Sequence, residues 1–219
     1  VSGGLEPLTN PKLGELVDHA KLKGIKLPII TNGYSLTEGF LNKNPGIWKA
    51  DSLRISLYGI DDNSYEFITR VRKGFKQVYN NSISFLKNRN EKNKSMRFGY
   101  NFIIIPENLH QLLEIPKLIK NINEEVKNGE GVNFLTLRDD YQSVTDQSTD
   151  KDTERKYRLD KSMNYDERKK LQENILKFEE LRSKMCPDLY VDYGYSLETL
   201  FKGQVDSGLI KVKGKEMRK

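Results

Sequence analysis

Apolar and polar positions along this chain follow two rhythms that take turns. The first is helical: Leu13, Leu16, Val17 and Ala20 fall on one face at i, i+3, i+4, i+7 spacing, predicting a helix over 12–23 that Gly24 ends. Residues 25–30 are short and apolar and predict a strand running into Thr31-Asn32-Gly33. Ser35 and Glu38 have capping-box spacing for a short helix after it. Leu53-Arg54-Ile55-Ser56-Leu57 predicts a further strand ending at Tyr58-Gly59, and Asn63 with Glu66 repeats the capping spacing before a helix over 64–70. A longer amphipathic helix then turns Phe75, Val78, Tyr79, Ile83 and Leu86 inward.

The alternation continues. Residues 97–105 predict the longest strand, stopped at Pro106 because proline has no N–H to give a ladder. Residues 109–126 read as helix divided by Pro116, and Val132 to Leu137 as a strand ending at Arg138-Asp139-Asp140. Asn164 and Glu167 suit the cap of a helix over 165–185 with Leu171, Ile175, Phe178 and Leu181 inward. Leu189 to Tyr193 predicts a last strand, followed by a short helix over 196–201. Strands and helices in strict alternation predict the α/β class, here a partial (β/α)6 barrel of the TIM type with parallel strands and right-handed crossovers. The expected organisation is a partial barrel over 1–141, a polar loop or lid over 142–163, and an α/β extension over 164–219.

Composition narrows the partners. No apolar run approaches the roughly 18 residues of a membrane span. The net charge is +6, but residues 202–219 carry +4 of it, and the rest shows no basic stripe interleaved with aromatics. That distribution suits a solvated lysine-rich surface and a basic tail, not a nucleic-acid footprint. The lone cysteine, Cys186, excludes an internal disulfide framework and suits a reducing, cytoplasmic setting. Neither His19 nor His110 has the neighbours of a site, and both are expected to be exposed.

In parallel β/α arrays ligands gather where the strands end. The residues at those ends are Gly3-Gly4-Leu5-Glu6-Pro7, Thr31-Asn32-Gly33, Ser56 with Tyr58-Gly59, Asn101 with Glu107-Asn108 beyond it, and Arg138-Asp139-Asp140. Small residues let backbone approach a ligand, and the carboxylate, amides and guanidinium suit a ligand bearing both an ammonium and a carboxylate. Each position also has a local reading. Asn32-Gly33 suits a plain turn, Ser56 a backbone bond, and Arg138 a surface pair with Asp139 or Asp140.

Taken in order, these segments resemble the radical S-adenosylmethionine (SAM) enzymes. Gly3-Gly4-Leu5-Glu6-Pro7 is similar to their Gly-Gly-Glu-Pro motif, Thr31-Asn32-Gly33 to the turn closing the next strand, and residues 53–59 to a strand carrying a cofactor-side serine. The resemblance implies SAM contacts at Gly3, Gly4, Glu6, Thr31, Asn32, Ser56 and Arg138. Substrate contacts are expected at Asn101, Asp139 and Tyr193. Gly-Gly-Leu-Glu-Pro-Leu-Thr, Arg138-Asp-Asp-Tyr141 and Val191-Asp-Tyr-Gly-Tyr195 are similar to the branch that removes an amino group from a TDP-4-amino-4,6-dideoxyhexose, a carbon–nitrogen lyase.

The same resemblance implies a [4Fe–4S] cluster on a Cys-x3-Cys-x2-Cys loop, and a reducing partner such as flavodoxin or ferredoxin. These 219 residues contain no such loop. The chain starts at Val1 and enters a glycine-rich turn at once, so the first strand and the cluster loop are expected ahead of it. By itself it is expected neither to hold the cluster nor to cleave SAM. The other reading is a cluster-free barrel that binds a nucleotide-like ligand or scaffolds a partner. A barrel hydrolase or aldolase is disfavoured, because no acid–base pair stands at the strand ends.

Overall fold

The computed structural model describes residues 5–127, 129–139, 165–201, 209–212 and 215–218. Five strands form one parallel sheet: β1 (Pro28–Thr31), β2 (Ser52–Leu57), β3 (Arg97–Ile104), β4 (Phe134–Asp139) and β5 (Tyr190–Asp192). Their order in the sheet is their order in the chain. Between them run α1 (Leu13–Leu22, before β1), α2 (Glu38–Lys43), α3 (Asp62–Thr69), α4 (Gly74–Lys92), α5 (Ile115–Val126) and α6 (Tyr165–Met185), with α7 (Gly194–Phe201) after β5. The sheet is therefore the expected α/β array. The strand expected ahead of Gly3 lies outside the described residues.

Sequential parallel order with right-handed crossovers puts successive helices on one side of a sheet. Accordingly, α4 packs on α5 and α5 on α6. The strands alternate to match. Leu53, Ile55 and Leu57 of β2 are buried, as are Phe98, Tyr100, Phe102 and Ile104 of β3 and Leu135 and Leu137 of β4. These meet Val78, Phe85, Leu86, Ile119, Ile122, Ile175 and Phe178 from the helices in one continuous core. Residues of opposite parity face the other side and are mostly polar or small: Arg54, Ser56, Gly99, Asn101, Thr136 and Arg138.

Several local expectations are corrected. In α1 Leu16 is exposed, and Gly14 is buried in its place. A Cβ on Gly14 would lie 3.0 Å from Asn44 backbone, so the 3-10 turn Pro45–Lys49 can pack tightly on the helix. Ile25 is exposed, and β1 begins only at Pro28, where Leu27 N–H donates to Asp51 Oδ2 (2.6 Å). The caps also move. Thr37 caps α2 by accepting from Phe40 N–H (3.3 Å), and Asp61 caps α3 by accepting from Ser64 N–H (2.8 Å). A cap is chosen by the direction from which the chain enters the helix, and box spacing alone does not report that direction.

Pro116 divides the helix expected over 109–126, and the first piece starts earlier, at Pro106. Pro106–Glu114 is 3-10 helix, and Pro116 opens α5, where its missing N–H has no intrahelical partner to lose. β4 starts two residues later than the apolar run, because Asn133 Oδ1 is taken by Phe98 N–H and Arg89 Nη1, both at 2.8 Å. In the stretch read as a basic tail, β6 (Leu209–Val212) and β7 (Lys215–Arg218) pair antiparallel. His19 and His110 are exposed. Among the described residues no helix is long and apolar enough to cross a membrane.

Candidate functional site

The first part of the site is built around Glu6. Its carboxylate closes the 3-10 turn Pro7–Thr9 by accepting from Leu8 N–H (3.1 Å), and it also receives the end of β1. Thr31 Oγ1 donates to Glu6 Oε1 at 2.5 Å, and Asn32 N–H to Oε2 at 2.7 Å. Thr31 Oγ1 in turn accepts from Gly33 N–H (3.0 Å), and Asn32 Oδ1 from Tyr34 N–H (3.0 Å). Glu6, Thr31 and Asn32, three of the expected cofactor residues, thus come together in one network. Gly33 is buried at φ +75°, and a Cβ there would lie 2.9 Å from Ile55, so the turn needs glycine on both counts. Tyr65 stands edge-on to Tyr58, their ring centroids 6.1 Å apart. Burial first, and then Tyr58, Glu6 and Tyr34, push the Tyr65 phenol up to about 12, so it stays neutral.

The second part is a row across the sheet. Ser56, Asn101, Thr136 and Asp192 stand in consecutive register on β2 to β5. In-register residues of parallel strands point to the same side, here the side away from the helices. Among the described residues the side chains of Ser56, Asn101 and Thr136 make no hydrogen bond. The row ends in a pair: Arg138 Nη2 lies 3.0 Å from Asp192 Oδ2, and Nη1 3.4 Å from Oδ1. Gly194 N–H donates to Asp192 Oδ1 at 2.9 Å. Burial opposes ionisation of Asp192, but the Arg138 and Gly194 hydrogen bonds and the Arg138 and Arg54 charges outweigh it and hold its carboxyl below the usual range.

Other expected residues are placed elsewhere. Tyr193 is committed to α6: its hydroxyl donates to Glu179 (2.5 Å), and its ring meets Phe178 edge-on at 6.5 Å. Asn108 is used by the turn after β3, accepting from Ile105 N–H (2.8 Å) and donating to the Ile103 carbonyl (2.9 Å). Gly3 and Gly4 lie outside the described residues, as do the side chain of Asp139 and all of Asp140. Cys186 is buried with its Sγ 3.4 Å from the Pro116 carbonyl oxygen.

Sequence reasoning quoted Asp192 and Gly194 within a family-like motif but gave them no site role, because the Arg138–Asp192 contact spans 54 residues. It also missed Arg54, although period-2 alternation had already put Arg54 on the same face as Ser56. A separate cavity of about 630 Å³ opens between Leu8, Tyr34, Thr37, Phe40, Lys43 and Gln77. It flanks the β1 turn but contains none of the polar row.

No protein-family model matches the chain. It is similar to the dTDP-4-amino-4,6-dideoxy-D-glucose ammonia-lyase of Streptomyces venezuelae, with 35% identity over 217 residues. The match takes in 99% of this chain, which spans 41% of the length of that relative.

Proposed function

We propose that the chain is the cofactor- and substrate-binding part of a radical SAM ammonia-lyase acting on a nucleotide-linked amino sugar. The observation that carries this reading is the row Ser56–Asn101–Thr136. These three polar side chains lie in register at one sheet face with no hydrogen-bond partner among the described residues, and the chain resembles a dTDP-amino-sugar ammonia-lyase over nearly its whole length. Polar groups that a fold leaves unanswered are the ordinary signature of a ligand surface.

The residues present suit SAM. Ser56 and Asn101 offer uncommitted donors and acceptors to an amino-acid-bearing nucleoside, and the strand-end backbone at Thr31–Gly33 is held in place by Glu6. They do not suit the cluster. The sequence has one cysteine, and it is buried away from the row, so no thiolate set comes from these 219 residues. Bound here, SAM would supply hydrogen-atom abstraction from an amino-sugar C–H bond, given one electron from a reduced cluster that these 219 residues do not hold. This chain's own part is positional. Glu6 fixes the β1 turn, the row orients polar groups of the ligand, and the Arg138–Asp192 pair sets the charge at the far end. The reading also includes closure of the five strands, with a further strand, into a TIM-like barrel.

Isothermal titration of the 219-residue protein with SAM and with TDP tests the proposal. Saturable binding of both, weakened at least tenfold by S56A or N101A, is the expected result. Binding of neither at millimolar concentration would remove the reading.

A further inference from the structure

Arg54 carries a guanidinium that donates a hydrogen bond to no described residue. It is half-buried on the open face of β2, two residues before Ser56, and its Nε is shut off from solvent with no hydrogen-bond partner. None of its other nitrogens bonds to a described residue. The charges it senses are Arg138 and Asp192, and Asp192 takes its hydrogen bonds from Arg138 and Gly194 N–H, not from Arg54. Burial foremost, and then Arg138, disfavour its protonated state, with only Asp192 in opposition.

Arg89 shows what a structural arginine looks like in this protein. It is fully buried and its Nε is also unpartnered, yet its other two nitrogens reach Asn133 Oδ1 (2.8 Å), Asn90 Oδ1 (3.1 Å) and the carbonyls of Met96, Glu130 and Gly131. The fold uses Arg89 to tie α4 to the start of β4. It makes no such use of Arg54. A desolvated guanidinium without partners costs stability, and such a group persists where a ligand supplies the missing acceptor.

We propose that Arg54, acting with Arg138, binds the diphosphate of the nucleotide-linked substrate. This deepens the function proposed above and rests on it. Among the described residues two guanidiniums share one carboxylate here, an excess of positive charge beside the uncommitted donors of Ser56, Asn101 and Thr136. A single carboxylate fills one guanidinium fork, whereas a diphosphate spreads its anionic oxygens widely enough to engage two arginines on different strands.

The test is titration of the 219-residue chain and its Arg54→Met and Arg54→Lys variants with inorganic pyrophosphate, TDP and SAM, alongside thermal melts. The expected result for R54M is a loss of at least tenfold in affinity for pyrophosphate and TDP, a change below threefold for SAM, and a Tm equal to or above the parent's. R54K should recover part of the loss. Unchanged TDP and pyrophosphate affinity in R54M would overturn the inference and leave the proposed function standing. A loss confined to SAM would assign the guanidinium to the cofactor's carboxylate and overturn it too. A large drop in Tm for both variants would make Arg54 structural. Arg54-dependent pyrophosphate binding by a protein that takes neither TDP nor SAM would retain an oxyanion site while removing the proposed function and its diphosphate.

Discussion

Arg138 at the end of β4 holds Asp192 at the end of β5 through Nη2–Oδ2 at 3.0 Å, and Gly194 N–H donates to Oδ1 of the same carboxylate. The pair joins the last two strands of the sheet at the edge of the polar row. Its side chains are about two-fifths exposed, 42% for Arg138 and 40% for Asp192, so its value to stability is that of a screened surface pair, about 0–1 kcal/mol. Its consequence is positional: it sets where the charge of Arg138 stands.

The pair gives stability a pH dependence of known sign. Asp192 is held below its ordinary range when folded. Its contribution is therefore present above the unfolded value of about 3.9 and is lost as pH falls through the lower folded value. Urea midpoints from pH 7 down to pH 2.5 should fall less steeply in D192N than in the parent. Parallel profiles would deny the pair this role.

Gly194 is expected to resist substitution. It has φ +58°, and a Cβ there would lie 2.2 Å from Arg138 Nη1. G194A should cost about 1–3 kcal/mol and shift the Arg138 side chain, weakening TDP binding as well. Chemical denaturation and titration together would check this. Loss of stability with unchanged binding would separate the glycine from the site.

Glu6 is a strut for the β1 turn. In E6Q the new amide NH2 would face the Asn32 N–H or the Thr31 hydroxyl, both of which donate to Glu6. The expected loss is about 1–3 kcal/mol, with faster amide exchange confined to residues 31–34. Exchange rates at those amides that match the parent's would show that the turn holds itself.

Ser56 and Asn101 should behave in the opposite way. With no partner among the described residues, S56A and N101A should each change stability by no more than about 0.5 kcal/mol while lowering ligand affinity. A destabilisation of several kcal/mol in either would mean that the fold, not a ligand, uses the group.

Arg89→Met is predicted to cost about 3–5 kcal/mol, since it removes a charged donor set from buried carbonyls and from Asn133, which also caps the Phe98 N–H. Set beside R54M, it is the control that separates a structural arginine from one held for binding. A Tm within a few degrees of the parent's would refute the distinction.

The order of strands and helices was legible because their periods, 2 and 3.6, are local properties of adjacent side chains. Leu53-Arg54-Ile55-Ser56-Leu57 and Phe75 to Leu86 needed nothing beyond themselves to declare a half-buried strand and a one-sided helix. Glycine at position 33 was equally readable, since a turn there requires a positive φ. Tertiary structure alone decided which groups meet. Thr37 and Asp61 became the caps because the chain enters their helices from those directions. Asn133 became a strand-start anchor because Arg89 and Phe98 arrive beside it. Arg138 chose Asp192, a residue 54 positions on, because β4 and β5 are neighbours in register. Tyr193, one residue further, fell to the helix side for the same geometric reason. What separates a binding arginine from a structural one is the set of acceptors within reach. Burial and long-range packing create that set, and neither is written in the residues adjacent to Arg54 or Arg89.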